Sequence, residues 1–99
     1  MKDLMKKPEI TLVSKGDALK ILQVTGMPDT LMPKHYSTKE AVVTVLEGRA
    51  IMDIDGAEYV LNPCDSLLIP ARQVHTLLIV SKLKALVVMP GDAIIEFIS

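Results

Sequence analysis

The chain is poor in aromatic side chains: its 99 residues include no tryptophan, one phenylalanine and two tyrosines. Any hydrophobic core it builds is therefore aliphatic. It has a single cysteine, Cys64, which excludes an intrachain disulfide. No neighbouring histidine or basic cluster activates that thiol, so its expected role is that of a small packing residue. Excess positive charge is also missing: eleven Lys and Arg stand against twelve Asp and Glu, a formal net charge of −1. The pI is near 6.1 and the lysines are scattered apart from Lys6-Lys7. The footprint of a phosphate backbone is absent, and nucleic acid is not an expected partner. No stretch approaches the roughly 18 apolar residues of a membrane span, and Met1 to Lys7 lacks the apolar run of a signal peptide. These absences point to a cytoplasmic protein with no membrane partner.

What is present is a dense alternation of strand and turn signals. Hydrophobic residues make up 49% of the chain, enough for one core and one domain at this length. Short apolar or alternating runs occupy 9–13, 19–25, 42–46, 49–55, 57–61, 66–69, 76–80, 83–89 and 93–98. Between them lie Lys15-Gly16-Asp17, Gly26-Met27-Pro28-Asp29, Glu47-Gly48, Asp55-Gly56, Asn62-Pro63, Pro70, Ser81-Lys82 and Pro90-Gly91, all turn chemistry. Many short strands at regular spacing predict an all-β sandwich or barrel. Asp55-Gly56 is the sharpest local signal, because both residues tolerate the positive φ of a two-residue hairpin turn.

Two segments carry a family resemblance. The first, His35-Tyr36-Ser37-Thr38-Lys39-Glu40-Ala41-Val42-Val43-Thr44-Val45-Leu46-Glu47-Gly48, is similar to the first cupin motif, a histidine pair and a glutamate before a strand ending in Leu-Glu-Gly. The second, from Asn62-Pro63-Cys64-Asp65 through Pro70-Ala71-Arg72 to His75, resembles the second motif. There a Gly-Asp turn leads to an apolar strand, Pro-x-Gly and a last histidine. The chain thus resembles a small single-domain cupin spanning residues 1–99, with 1–7 a mobile tail. The implied fold is a small double-stranded β-helix, the jelly-roll barrel.

Departures from the motifs bear on chemistry. Counting back from Gly48, the family's metal-binding glutamate falls on Ala41, its second histidine on Ser37 and its first on His35. Arg72 stands at the glycine of Pro-x-Gly and Cys64 at the glycine before Asp65, while His75 keeps its place after Pro70. A mononuclear catalytic metal usually has three protein ligands and open positions for substrate. His35 and His75 are the two candidate metal ligands left, and two imidazoles alone hold a divalent ion weakly. Glu40 neighbours the vacated position, but successive strand side chains point to opposite faces, so Glu40 points outward if Ala41 points in.

The same parity predicts a cavity. Ala50, Met52 and Ile54 share one strand face, Val43 and Val45 continue inward from Ala41, and Leu77 and Ile79 follow His75. The expected pocket residues are His35, Ser37, Ala41, Val43, Met52, His75 and Leu77, an aliphatic chamber with two imidazoles near its mouth. Met1 and Met5 fall in the tail, and the six methionines have no copper-type spacing, so they read as gap-fillers. Arg72, beside the expected mouth, is a candidate for attracting an anion, or a surface residue without specific contact. Runs 83–89 and 93–98 are apolar on both faces, so a second layer must cover them. A homodimer through the outer sheet is expected, with the alternative that the N-terminal strands fold over that surface.

Three functional readings remain open at this point. One is a non-enzymatic barrel binding a small molecule without an intact cupin metal site. Another is a metal-dependent cupin enzyme of dioxygenase, isomerase or decarboxylase type, using His35 and His75. The third is a structural or interaction module with a vestigial pocket. The cofactor is correspondingly either a weakly held divalent transition metal or none, and catalytic residues are not assigned.

Overall fold

Asp55 and Gly56 both take positive φ, 52° and 88°, and Ile54 pairs with Ala57 directly across them. This is a type I′ hairpin, whose twist matches that of the strands it joins. It belongs to a computed structural model that describes residues 7–98; the expected tail therefore lies outside the described residues except for Lys7. The described residues form β1 (Glu9–Lys15), β2 (Leu19–Gly26), β3 (Leu31–Ser37), β4 (Ala41–Ile54), β5 (Ala57–Leu61), β6 (Ser66–Ile69), β7 (His75–Pro90) and β8 (Ile95–Phe97).

The architecture rests on β4 and β7. They pair antiparallel from Val42 opposite Val88 to Ile54 opposite His75, and both run through two layers. In the first layer β1, β2, the second half of β7, the first half of β4, and β6 lie side by side. In the second the order is β8, β3, the first half of β7, the second half of β4, and β5. Two antiparallel layers sharing two continuous strands make a jelly roll.

The runs 42–46 and 49–55, expected as separate strands, are one strand, and so are 76–80 and 83–89. Their turn signals mark corners instead of reversals. Pairing between β4 and β7 shifts register between Val45 and Ala50, and Gly48 sits there at φ 85°. A Cβ on Gly48 would overlap the carbonyl oxygen of Lys82 on the facing strand, so only glycine allows the two corners to meet. β3 was absent from the sequence expectation because Pro33 and Lys34 break its alternation. The β3–β7 register jumps between Met32 and His35, which removes Pro33 from the hydrogen-bonding ladder it cannot join.

Side-chain parity holds. Ala41, Val43, Val45, Ala50, Met52, Ile54, Leu77 and Ile79 are all buried, and none of the buried hydrophobic residues is aromatic. Glu40 is exposed. β1 and β2 extend the first layer edgewise through β2–β7 pairing, so they do not fold over its outer face.

Cys64 and Arg72 stand where the cupin motif has glycine, and both have positive φ, 76° and 66°. Asp65 N donates to Asn62 O at 2.9 Å across Pro63-Cys64, giving a type II turn with proline second and the left-handed residue third. Gln73 N donates to Pro70 O at 3.4 Å around Arg72 in the same way. Cys64 is exposed, which corrects its expected packing role: the turn places its side chain outside the barrel. A left-handed conformation costs an L-residue about 1–2 kcal/mol, partly offset by the greater chain entropy that glycine loses on folding. Cys64→Gly and Arg72→Gly should therefore each stabilise the fold by about 0.5–1 kcal/mol in equilibrium denaturation, whereas Gly48→Ala should destabilise it by about 2 kcal/mol or more.

Candidate functional site

His35 ends the part of β3 that pairs with β7, His75 begins β7, and the two are direct cross-strand partners. Both point inward and are buried, at 6% and 5% exposure, deeper than the rim position the sequence suggests. Their ring centroids lie 4.1 Å apart at an interplanar angle of 61°. Phe97, opposite His35 on β8, brings its ring centroid to 5.1 Å from that imidazole. This contact was missed in the sequence, where the chain's one phenylalanine lies far from either motif.

Each ring is held by its own chain. His35 Nδ1 lies 2.6 Å from Pro33 O and His75 Nδ1 lies 2.9 Å from Gln73 O, in both cases the carbonyl two residues earlier. A carbonyl oxygen only accepts, so each Nδ1 carries the proton and donates it, which leaves Nε2 with a free lone pair in the neutral ring. Burial disfavours the charged form and lowers the His35 pKa to about 4, against the backbone bond that raises it and with a smaller push from His75. Burial likewise lowers the His75 pKa, again opposed by its backbone bond. At neutral pH the site therefore presents two uncharged acceptors.

The cavity they border has a volume of about 60 Å³. All seven residues expected on its wall, His35, Ser37, Ala41, Val43, Met52, His75 and Leu77, line it. Ser37 Oγ accepts the Lys39 N–H at 3.2 Å, so its hydroxyl is partly engaged by a local turn. Arg72 does not line the cavity; its backbone N–H donates to Ser37 O at 2.7 Å, tying the turn to the end of β3. His75 also borders an outer groove with Lys34, Asp53 and Asp55. Asp53 Oδ1 accepts the Gly56 N–H at 3.0 Å, as befits a hairpin face.

Met32 and Met89 join Met52 on the cavity wall, so half of the chain's six methionines meet in one small space. Their spacing along the chain gives no motif. The register supplies the signal, because Met32 and Met52 both oppose Leu77 from either side.

The resemblance implies a divalent metal, and the residues present do not fit one. Ala41 is a buried methyl where a carboxylate would neutralise charge. Among the described residues no group of three His, Cys, Asp or Glu converges on a point. A hard divalent ion would meet two neutral nitrogens, soft thioethers and hydrocarbon, with neither the oxygen ligands nor the charge it requires.

The buried neutral rings also set a pH dependence. Unfolded, each imidazole titrates near the usual value of about 6.5, while folded His35 titrates at about 4. Between these values the unfolded chain binds more protons than the folded one. Stability is complete above the unfolded value and is lost as pH falls towards the folded one. Denaturation midpoints should drop between about pH 7.5 and pH 5, and the drop should shrink in a His35→Gln/His75→Gln variant; equal midpoints in the parent would contradict the neutral-ring assignment.

Residues 23–95 match the sequence profile of the cupin domain. No curated protein matches the sequence significantly. The fold is similar to a cupin superfamily protein from Desulfitobacterium hafniense, with TM-score 0.78, 17% identity, and coverage of 93% of this chain and 84% of that one. It is also similar to an RmlC-like cupin protein from Desulfovibrio desulfuricans, with TM-score 0.75, 25% identity, and coverage of 85% and 82%. A DMSP lyase from Ruegeria pomeroyi has TM-score 0.79 at 20% identity; the match covers 89% of this chain but 51% of the lyase. No helix among the described residues is long and apolar enough to cross a membrane. With the profile covering most of its length and two continuous strands shared between two layers, the chain belongs to the cupin family.

Proposed function

We propose that this barrel is a binding module, not a catalyst of the metal-dependent dioxygenase, isomerase or decarboxylase kinds found on this fold. Its guest is small, carries no negative charge, and accepts electron density from two imidazole nitrogens. The observation that carries this reading is the pair of Nδ1 bonds to backbone carbonyls, which leaves both Nε2 lone pairs to a guest in an otherwise aliphatic chamber. The chamber volume of about 60 Å³ is far below the roughly 300–1,000 Å³ of pockets for drug-sized ligands. An anion finds no positive charge there, because the rings are neutral. Acid–base catalysis is poorly served as well: a general base works best with a pKa near the operating pH, and His35 lies near 4. The exposed thiol of Cys64 suits a cytoplasmic setting, where thiols stay reduced, and we place the protein there.

The outer face supports a homodimer, the partner we propose. Leu68, Val42, Val88 and Ile21 stand in one cross-strand line over β6, β4, β7 and β2. Leu68 and Val42 are 53% and 37% exposed. Outward positions of an antiparallel sheet are ordinarily polar. An uncharged apolar row meets its own copy about a two-fold axis without like-charge repulsion, and each copy supplies the other's covering layer.

Two measurements test these readings. Nitrogen NMR of the histidine side chains, with 1-propanol and propionate titrated at equal concentrations, should show the alcohol moving both Nε2 resonances and the carboxylate leaving them in place; an equal response, or none to either, would refute the binding reading. Light scattering should give a dimer for the parent and a monomer for Val42→Lys/Leu68→Lys, and a monomeric parent would refute the interface.

A further inference from the structure

We infer that the guest is a straight-chain primary alcohol, whose hydroxyl donates to an imidazole Nε2 and whose tail leaves the chamber through an apolar cleft between β1 and β8. The inference rests on the binding reading above and names the class of its guest.

The cleft follows from the strand order. β1 is the edge strand beyond β2 in the first layer, and β8 is the edge strand beyond β3 in the second. Both β2 and β3 pair with β7 on the flank opposite β4, so the two edges lie one over the other. Ile10 and Leu12 of β1 stand directly opposite Val24 and Leu22, and Ile95 and Phe97 of β8 stand opposite Ser37 and His35. Cross-strand partners share a face, and all four of those partners are buried. Ile10, Leu12, Ile95 and Phe97 therefore point between the layers. Yet Ile10, Leu12 and Phe97 are 40%, 56% and 52% exposed. Apolar side chains that face inward and still meet water mark a gap that the two edges leave open. On the other flank, Leu61 of β5 and Ile69 of β6 are buried in the core.

The cleft runs into the chamber. Ile10 and Ile95 line the chamber itself, and Phe97 reaches from the cleft to the site, its ring 5.1 Å from that of His35. Polarity is confined to the histidine end: apart from His35, His75 and Ser37, every described residue on the wall is apolar, and the Ser37 hydroxyl already accepts the Lys39 N–H. A guest that fills this space has one donor head and hydrocarbon elsewhere. The chamber, at about 60 Å³, holds the head and the first carbons, and the rest of the chain lies along the cleft. The head is a hydroxyl because an alkylamine is protonated at neutral pH and would carry its charge into hydrocarbon, a cost that two neutral acceptors do not offset.

The test extends the histidine-nitrogen titration along the series 1-propanol, 1-butanol, 1-pentanol and 1-hexanol, with light scattering on the same samples. Each added methylene should tighten binding by about fourfold, and hexylamine should bind more weakly than 1-hexanol. In Ile10→Asn/Leu12→Asn, at exposed positions of an edge strand, the ratio of 1-hexanol to 1-propanol affinity should fall by roughly tenfold. Equal affinity across the series in the parent, an unchanged ratio in the variant, or hexylamine binding as tightly as 1-hexanol would overturn the proposal. Loss of the dimer in that variant would overturn it too, by assigning the cleft to a second copy of the chain. If 1-propanol moves the Nε2 resonances and longer alcohols gain nothing, the binding reading stands and the alkyl cleft falls; if no alcohol moves them, both fall.

Discussion

Everything in this barrel depends on the pairing of β4 with β7 across both layers, which shifts register only at the shared corner. Fourteen residues of one strand and sixteen of the other turn the same corner together; β2, β3, β5 and β6 pair with them directly, and β1 and β8 follow on β2 and β3. That corner has no room for a side chain at position 48, where the facing Lys82 carbonyl occupies the space a Cβ would need. A single glycine thus permits the close approach of the two strands at the corner where the two five-stranded layers meet. Once they close, period-two alternation decides which residues see the interior, and hence the composition of the chamber.

That composition gives the imidazoles their character. Elsewhere a pair of histidines 4.1 Å apart would compete for protons with solvent and with nearby carboxylates. Here the surroundings are aliphatic groups, methionine thioethers and the ring of Phe97, and the one polar neighbour on the wall, Ser37, is engaged with the Lys39 N–H. Burial keeps the rings uncharged, and the carbonyls of Pro33 and Gln73 choose the tautomer. The two effects reinforce one another: a neutral ring can offer only one lone pair, and the backbone bond settles which nitrogen offers it.

Much of this was legible in the sequence because two of its codes are local. Alternation identified the inward residues from Ala41 to Ile79, and Asp55-Gly56 identified its own hairpin. What escaped depends on long-range pairing. Glu47-Gly48 and Ser81-Lys82 carry turn chemistry, yet whether such residues reverse a strand or bend it is decided by the partner on the other side. β3 escaped because Pro33 and Lys34 disrupt a pattern that a bulge then accommodates. The methionine cluster escaped for the same reason, since residues 32, 52 and 89 meet only through the register. Cys64 and Arg72 show the converse: neither is the glycine that the resemblance expects, yet both take the positive φ that glycine would favour. Sheet pairing on both sides imposes the turn, and the side chain bears the strain.

This separation of backbone from side chain means that the cupin shape does not require the motif's metal-ligand residue types at positions 37 and 41. Ala41 and Ser37 sit in fully formed strands and are as buried as their neighbours, so a ligand position makes no demand on the fold beyond an inward-facing Cβ. Replacing a buried carboxylate by a methyl group removes a desolvation cost that only a bound cation had offset, so ligand loss at such a position is tolerated or favoured in the empty barrel. The consequence is chemical selectivity by subtraction. Each charge removed from the wall raises the cost of a multivalent guest while leaving soft and neutral guests almost unaffected. In a chamber lined mainly by apolar groups, two oriented lone pairs are the strongest polar feature available, and on the proposed binding reading the guest is the one matched to them.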